Sequence, residues 1–181
     1  FSRAVAGLGT SAYATHQVCM NIQTLSFMTG QAFAVSATSL VGQSLGKRRE
    51  DMAQAYCSKT QSVGLISAII IMLVFIFFGG DIVALYNSDT GIIETGERIM
   101  LFIAFMQPFQ TSQFIIAGGL RGAGDTRATA MITSVTVLVL RPLLAITLIE
   151  MGFGLYGAWM AFASDQLVRT LLVILRYKGG K

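Results

Sequence analysis

Residues 118–127, GGLRGAGDTR, combine four glycines with two arginines and an aspartate, which are residue types found in loops that hold phosphate groups. A Walker loop has four residues between its glycines, followed by lysine and then serine or threonine. Neither this segment nor residues 42–47, GQSLGK, has that arrangement. A dinucleotide-binding fingerprint follows a strand, whereas an uncharged stretch typical of a long helix precedes these glycines. We therefore expect no nucleotide site at either segment.

Other catalytic arrangements are not expected. The single histidine, His16, has no serine, cysteine or carboxylate pattern beside it that would make it a base. One histidine and two distant cysteines do not make a metal site. We predict a protein without catalytic residues, bound metal or cofactor. The lack of a basic patch with interleaved aromatic residues also argues against nucleic-acid binding.

Three glutamines recur at a spacing of three residues in an otherwise apolar stretch, at Gln107, Gln110 and Gln113. On a helix this spacing places their amides along one side, beside Pro108, which removes a backbone hydrogen bond. Two interpretations fit. The amides form the polar wall of a pathway, together with Gln31 from an earlier stretch, or they bond one helix to the next.

Three ionisable residues interrupt the other apolar stretches. Asp165 and Arg169 are spaced i, i+4, so they are predicted to neutralise each other as a structural pair near the inner end of their stretch. Arg141 has no such neighbour and precedes Pro142, which predicts a kinked helix. A lone cation on a kinked helix suggests a water-filled interior, and bonds to freed carbonyl groups or to a neighbouring helix explain Arg141 equally well.

The stretches that carry these residues have the length and composition of membrane spans. Hydrophobic residues make up 54% of the chain and charged residues only 12%. The uncharged run at 99–120 would form a helix roughly 33 Å long, enough to cross a hydrocarbon core of about 30 Å. A soluble helical core would need polar outward faces, whereas residues 67–78, SAIIIMLVFIFF, are apolar on every side. We predict an all-α membrane protein, a single membrane domain over residues 1–181, with five spans, A to E, at approximately 17–46, 61–80, 99–120, 128–149 and 151–175.

Charges alternate between the connections of these spans. The A/B connection, the C/D connection and the C-terminal tail are basic, whereas the B/C connection is mainly acidic and the D/E connection holds only Glu150. Because basic loops stay on the cytoplasmic side, this pattern predicts an N-terminus outside and a C-terminus in the cytoplasm.

Glycine-rich segments close spans A and C in this arrangement. Glycines end helices by adopting positive φ, arginine near a helix C-terminus favours its dipole, and aspartate followed by threonine is typical of a helix N-cap. We predict cytoplasmic elbows built from Gly42, Gly46, Arg121, Gly122, Gly124 and Asp125.

Four motifs, in order, resemble the multidrug and toxic compound extrusion (MATE) transporters. They are GLGTSAYATHQ at 7–17, LVGQSLGKRREDMAQAY at 40–56, GGLRGAGDTR at 118–127 and GLYGAWMAF at 154–162. The resemblance touches all five spans. It implies an incomplete six-helix lobe that lacks its first helix, with a C-terminal end typical of the second lobe of the family.

The resemblance also implies a function. Members export cationic or amphipathic drugs and metabolites in exchange for Na⁺ or H⁺, through a cleft between two lobes, in the cytoplasmic membrane of cells that we expect here to be bacterial. Spans A, C and D would face the cleft, and the partners would be the bilayer, the missing N-terminal lobe, the organic substrate and the coupling ion. Some members bind the coupling cation through a carboxylate on the helix that matches span C. Residues 99–120 contain none, so we expect the coupling carboxylate in the other lobe.

Two alternatives stay open at this point. A flippase-like exporter of lipid-linked substrates in the same superfamily would share these motifs. A non-transporting membrane subunit or remnant would account for the missing first helix and the missing lobe.

Overall fold

The computed structural model describes residues 10–179, which form helices and no strands. The helices are α1 (Thr10–Gly46), α2 (Glu50–Ala84), α3 (Thr90–Gly122), α4 (Thr126–Val135), α5 (Arg141–Leu148) and α6 (Gly154–Gly179). Two five-residue π-helical segments, Thr136–Leu140 and Ile149–Phe153, join α4 to α5 and α5 to α6. The all-α membrane fold predicted from the sequence is therefore confirmed.

Short turns with local hydrogen bonds separate the long helices. Arg48 adopts a positive φ of 57° between α1 and α2. The Asp89 carboxylate accepts a hydrogen bond from the Gly91 amide at 2.8 Å and caps α3. The Asp125 carboxylate accepts one from the Ala128 amide at 3.4 Å and caps α4. These caps satisfy amide groups that the first helical turn leaves unpaired.

Three helical stretches among residues 10–179 are long and apolar enough to cross a bilayer: Glu50–Ala84, Thr90–Gly122 and Thr126–Gly179. The third is interrupted by Gly152 and Gly154, whose φ angles are 92° and 53°. Helix α1 is outside this set because its serines, threonines and amides lower its hydropathy. The number of crossings and the orientation of the termini therefore stay predictions.

The outward surface has the chemistry of a lipid-facing wall. Helix α2 leaves Ile66, Ile70 and Phe77 exposed by 60%, 57% and 73%. Large apolar side chains are exposed on every other helix as well. A continuous apolar surface of this kind is unfavourable in water and favourable against hydrocarbon.

Helices α1 and α3 run parallel and touch through their backbones. A Cβ atom built on Gly118 would lie 2.4 Å from the Ala34 carbonyl oxygen, and one on Gly122 would lie 2.5 Å from that of Thr38. The Thr38 hydroxyl donates a hydrogen bond to the Gly118 carbonyl at 2.9 Å. Small residues at i, i+4 allow this close approach, as they do in membrane helix pairs generally.

This contact refines the predicted elbows. Gly42 and Arg121 lie inside helices, whereas Gly46 and Gly122 are the last residues of α1 and α3. Gly124, with a φ of 90°, and Asp125 belong to the turn after α3. Gly122 therefore both ends its helix and packs against the Thr38 carbonyl of α1.

The helix around Pro142 widens into a π-helical segment. Proline has no amide hydrogen, so a regular helix would leave the carbonyl four residues earlier without its donor. The Arg141 amide donates to the Thr136 carbonyl, five residues earlier, where α4 continues into α5. The predicted irregularity in span D takes the form of this π-bulge.

Candidate functional site

The three glutamines of α3 are buried inside the bundle. Gln107, Gln110 and Gln113 are 2%, 2% and 3% exposed. Buried amides require hydrogen-bond partners, because there is no water in an apolar interior to replace them. The partners differ between the three residues, which separates their roles.

Gln107 and Gln110 bind the neighbouring helix. The Gln23 amide of α1 donates a hydrogen bond to Gln110 Oε1 at 2.7 Å. The Ser26 hydroxyl of α1 donates one to Gln107 Oε1. Neither glutamine lines the two cavities described below. Their geometry favours helix-to-helix bonding over a pathway wall.

Gln31 and Gln113 instead line a cavity of about 420 Å³ between α1, α3, α4 and α6. Its wall is made of Gln31, Gln113, Phe114, Ala117, Arg121, Thr126, Thr129, Ala130, Thr133, Ser134 and Arg169. We call this space the glutamine cavity. It lies toward the end of the bundle where α1 and α3 end and α4 begins, which we call the basic end after Lys47, Arg121 and Arg127.

A three-residue ion cluster lies beside this cavity. Arg141 donates hydrogen bonds from Nε and Nη2 to Asp165 Oδ2 at 3.0 and 2.5 Å. Arg169 donates from Nη2 to the same oxygen at 2.5 Å. Arg141, which has no i, i+4 partner on its own helix, is thus bonded to a neighbouring helix, as one of the two interpretations of the sequence has it. The antiparallel hairpin of α5 and α6 brings its partner back from 24 residues further along the chain.

The cluster carries one net positive charge. Asp165 is fully buried and the Arg169 residue is 6% exposed, so these two charges are shielded from water, whereas the Arg141 side chain is 19% exposed. Arg141 also stacks over Phe162, with its Cζ atom 4.6 Å from the ring centroid. One carboxylate between two guanidinium groups leaves a positive potential inside the bundle, and such a cluster is stable only where its hydrogen bonds are well formed. Asp165 lies near the middle of α6.

A second cavity, of about 580 Å³, lies at the basic end between α1, α2, α3 and α6. Arg176 Nε donates a hydrogen bond to Asp125 Oδ2 at 2.6 Å across it. The Asp125 carboxylate thus accepts hydrogen bonds from both the Ala128 amide of α4 and the Arg176 guanidinium of α6. A carboxylate already occupies the position at the α4 N-terminus that a phosphate would take, which agrees with the absence of a Walker spacing.

Among the described residues, no three histidine, cysteine or acidic side chains come together as metal ligands. Cys19 and Cys57 are both buried and unlinked. The sequence reasoning missed Gln23, Ser26 and Thr38 as partners of α3. Their spacing on α1 matches that of the α3 residues, but only the parallel arrangement of the two helices shows that they pair.

Comparison with known proteins places this geometry in context. A family model described as MatE matches residues 1–147. Probable multidrug resistance protein NorM of Thermotoga maritima is 27% identical over 174 residues, covering 96% of this chain and 38% of that protein. Multidrug resistance protein MdtK of Yersinia pestis (strain Pestoides F) is 32% identical over 179 residues, covering 96% of this chain and 39% of that protein.

Solved structures share the fold. The eukaryotic MATE transporter AtDTX14 superposes with a TM-score of 0.85 at 16% identity, covering 93% of this chain and 38% of that one. A MOP superfamily transporter from Pyrococcus furiosus, described as having a binding pocket of reverse polarity, gives a TM-score of 0.84 at 18% identity over 97% of this chain and 39% of that one. The chain thus spans less than two fifths of the length of these relatives.

Proposed function

Because this chain belongs to the MatE family, we propose that it forms part of a secondary active exporter that moves cationic or amphipathic small molecules in exchange for Na⁺ or H⁺. Its relatives include multidrug resistance proteins. The observation that carries the proposal is the glutamine cavity, a polar space bounded by long helices whose outer faces are apolar. A stable bundle without a pathway would fill this space with side chains.

The residues of the cavity suit a variable organic cargo. Gln31 and Gln113 offer both hydrogen-bond donors and acceptors, and Phe114 offers an apolar surface. Gln107 and Gln110 lie deeper against α1, where their bonds to Ser26 and Gln23 hold the two helices together. We assign contact with the substrate to the first pair and support of the pathway to the second.

The ion cluster contributes to the pathway through Arg169, which lines the cavity. Asp165 holds Arg141 and Arg169 in place, and Arg169 reaches the cavity. The Arg141 side chain projects from the π-bulge, and a bulge of this kind gives a helix a point at which it can bend. Bending of α4 relative to α5 at this bulge would change the width of the cavity during transport.

A second lobe completes the transporter in this proposal. The chain spans about 38% of the length of its relative NorM. Secondary transporters alternate access largely by rocking one structural repeat against another. The coupling carboxylate is assigned to that other lobe, since α3 has no acidic residue from Ile99 to Leu120 and Asp165 is already bound by two arginines.

The test is transport by the protein in its full length as its gene encodes it. Purified protein is reconstituted in liposomes loaded with ethidium or fluorescein, and Na⁺ or pH gradients are imposed separately. Gradient-dependent movement of at least one dye supports the proposal. Liposomes in which an ionophore has collapsed the gradient are the control, and equal movement in both would refute it.

A further inference from the structure

The charged residues in the wall of the glutamine cavity are all positive. Two of its wall residues are arginines, Arg121 and Arg169, and none is acidic. The nearest buried carboxylate, Asp165, already accepts hydrogen bonds from Arg141 and Arg169 through one oxygen. The cluster therefore keeps a net positive charge, and this charge is adjacent to the cavity.

Two buried polar groups in the wall have atoms without a hydrogen-bond partner. Arg169 is 6% exposed and its Nε atom donates to nothing. Gln113 is 3% exposed and its Oε1 atom accepts nothing. The two ends of a glutamine amide are interchangeable by rotation, so Gln113 can present its NH₂ group at this position. Buried donors left unpaired cost free energy that a bound acceptor would recover.

Hydroxyl groups and an apolar surface complete the cavity. Thr133 and Ser134 of α4 add further donors, and Phe114 and Ala117 of α3 form an apolar wall. A ligand that fits this combination has a negatively charged, multiply accepting head and an apolar body. A guanidinium group binds carboxylate and phosphate oxygens through hydrogen bonds of the same geometry.

We propose that the glutamine cavity binds the anionic head, a carboxylate or phosphate, of an amphipathic molecule, with Arg169 and Arg121 as the charged contacts. This inference narrows the substrate class of the proposed exporter and rests on that function for the statement that the bound molecule is cargo. The binding itself does not depend on transport. A cargo that carries both charges would present its negative end to this cavity.

The experiment compares two probes of nearly the same shape, the anionic naphthalene-2-carboxylate and the neutral naphthalene-2-carboxamide. Their dissociation constants are measured by titration calorimetry on the full-length protein in nanodiscs of zwitterionic lipid. The carboxylate should bind tighter by about tenfold or more, since hydrogen bonds to a charged group are stronger than those to a neutral amide. Equal affinities, or no binding of either probe, would overturn the proposal.

Three variants localise the effect. Arg169→Gln should abolish the preference for the carboxylate, and Arg121→Gln, at an exposed position, should reduce it. Arg127→Gln is the matched control, because Arg127 is an exposed arginine of the same turn region that does not line the cavity. It should change binding by less than about twofold. A preference that survives Arg121→Gln undiminished, or an equal loss in Arg127→Gln, would contradict the assignment.

Two further outcomes identify the source of the anion and separate this inference from the exporter. Added phosphatidylglycerol that competes with the carboxylate assigns the site to a lipid headgroup, and lack of competition assigns it to a free solute. If the carboxylate binds preferentially but no dye moves under a gradient, the proposed exporter function is refuted and the proposed anion site stands. If dye is transported but the carboxylate binds no more tightly than the carboxamide, the proposed anion site is refuted and the exporter function stands.

Discussion

Arg141 and Asp165 lie on separate helices, 24 residues apart in the chain, and are joined by two hydrogen bonds to a single carboxylate oxygen. Arg169 binds the same oxygen from one turn further along α6. One buried anion thus holds a buried cation, Arg169, and a half-buried one, Arg141, beside the glutamine cavity. The relationship makes Asp165 the residue on which the electrostatics of this half of the bundle depend.

Asp165→Asn should destabilise the protein strongly. Removal of the carboxylate leaves the buried Arg169 and the half-buried Arg141 guanidinium groups uncompensated, and the loss of one partner of a buried ion pair costs about 3–5 kcal/mol. The thermal midpoint of the purified protein in detergent, followed by circular dichroism, measures this. Arg141→Gln added to Asp165→Asn should recover part of the loss because it removes one of the two repelling charges. A double variant that is less stable than Asp165→Asn would contradict the cluster.

Gly118→Ala and Gly122→Ala should each weaken the contact between α1 and α3. The added methyl group would lie 2.4 Å from the Ala34 carbonyl oxygen in the first case and 2.5 Å from the Thr38 carbonyl oxygen in the second. Overpacking of this kind costs about 1–3 kcal/mol.

Gly46→Ala is the control for these two variants. Gly46 is also helical, but nothing lies within 4 Å of a Cβ atom built there. The three thermal midpoints are compared under one set of conditions. If Gly46→Ala lowered the midpoint as much as Gly118→Ala, the close approach of the two helices would not be the cause.

Gln110→Leu should lower stability by about 1 kcal/mol because it leaves the Gln23 amide buried without its partner. Replacement of both residues by leucine should recover most of that loss, since apolar groups then face each other. Chemical denaturation of the single and double variants measures the coupling. Strict additivity of the two substitutions would show that the hydrogen bond between them contributes nothing.

Gln113→Leu should impair transport more than it impairs stability. Gln113 lines the cavity and its Oε1 atom has no partner to lose, so the substitution leaves no new unpaired group. The initial rate of dye movement and the thermal midpoint are measured on the same preparations. The opposite result, a destabilised protein with an unchanged rate, would remove Gln113 from the pathway.

Much of the fold follows from local sequence patterns. Continuous apolar runs, such as residues 67–78, predict membrane-type helices because their length and hydropathy do not depend on distant residues. The shared side of Gln107, Gln110 and Gln113 also follows from helical spacing. Helical spacing does not predict which of the three glutamines contact α1 and which line the cavity, because that depends on which residues of α1 lie opposite.

Two contacts that spacing rules do not predict share a physical origin. The spacing gives Arg141 no i, i+4 partner, and its partner Asp165 comes from another helix through the packing of α5 against α6. Gly122 is predicted to be part of an elbow because glycine often ends helices, and it is the last residue of α3. Its contact with the Thr38 carbonyl depends on the backbone of α1 lying beside it.

The measurement that tests the account most directly is the initial rate of dye movement by the full-length protein under an imposed ion gradient. Ethidium and fluorescein are assayed separately, each with a Na⁺ gradient, with a pH gradient, and with both gradients collapsed. If the chain is part of a secondary active exporter, at least one dye should move faster under at least one gradient, and Gln113→Leu should remove most of this acceleration. Rates that are identical in all three conditions for both dyes would contradict it.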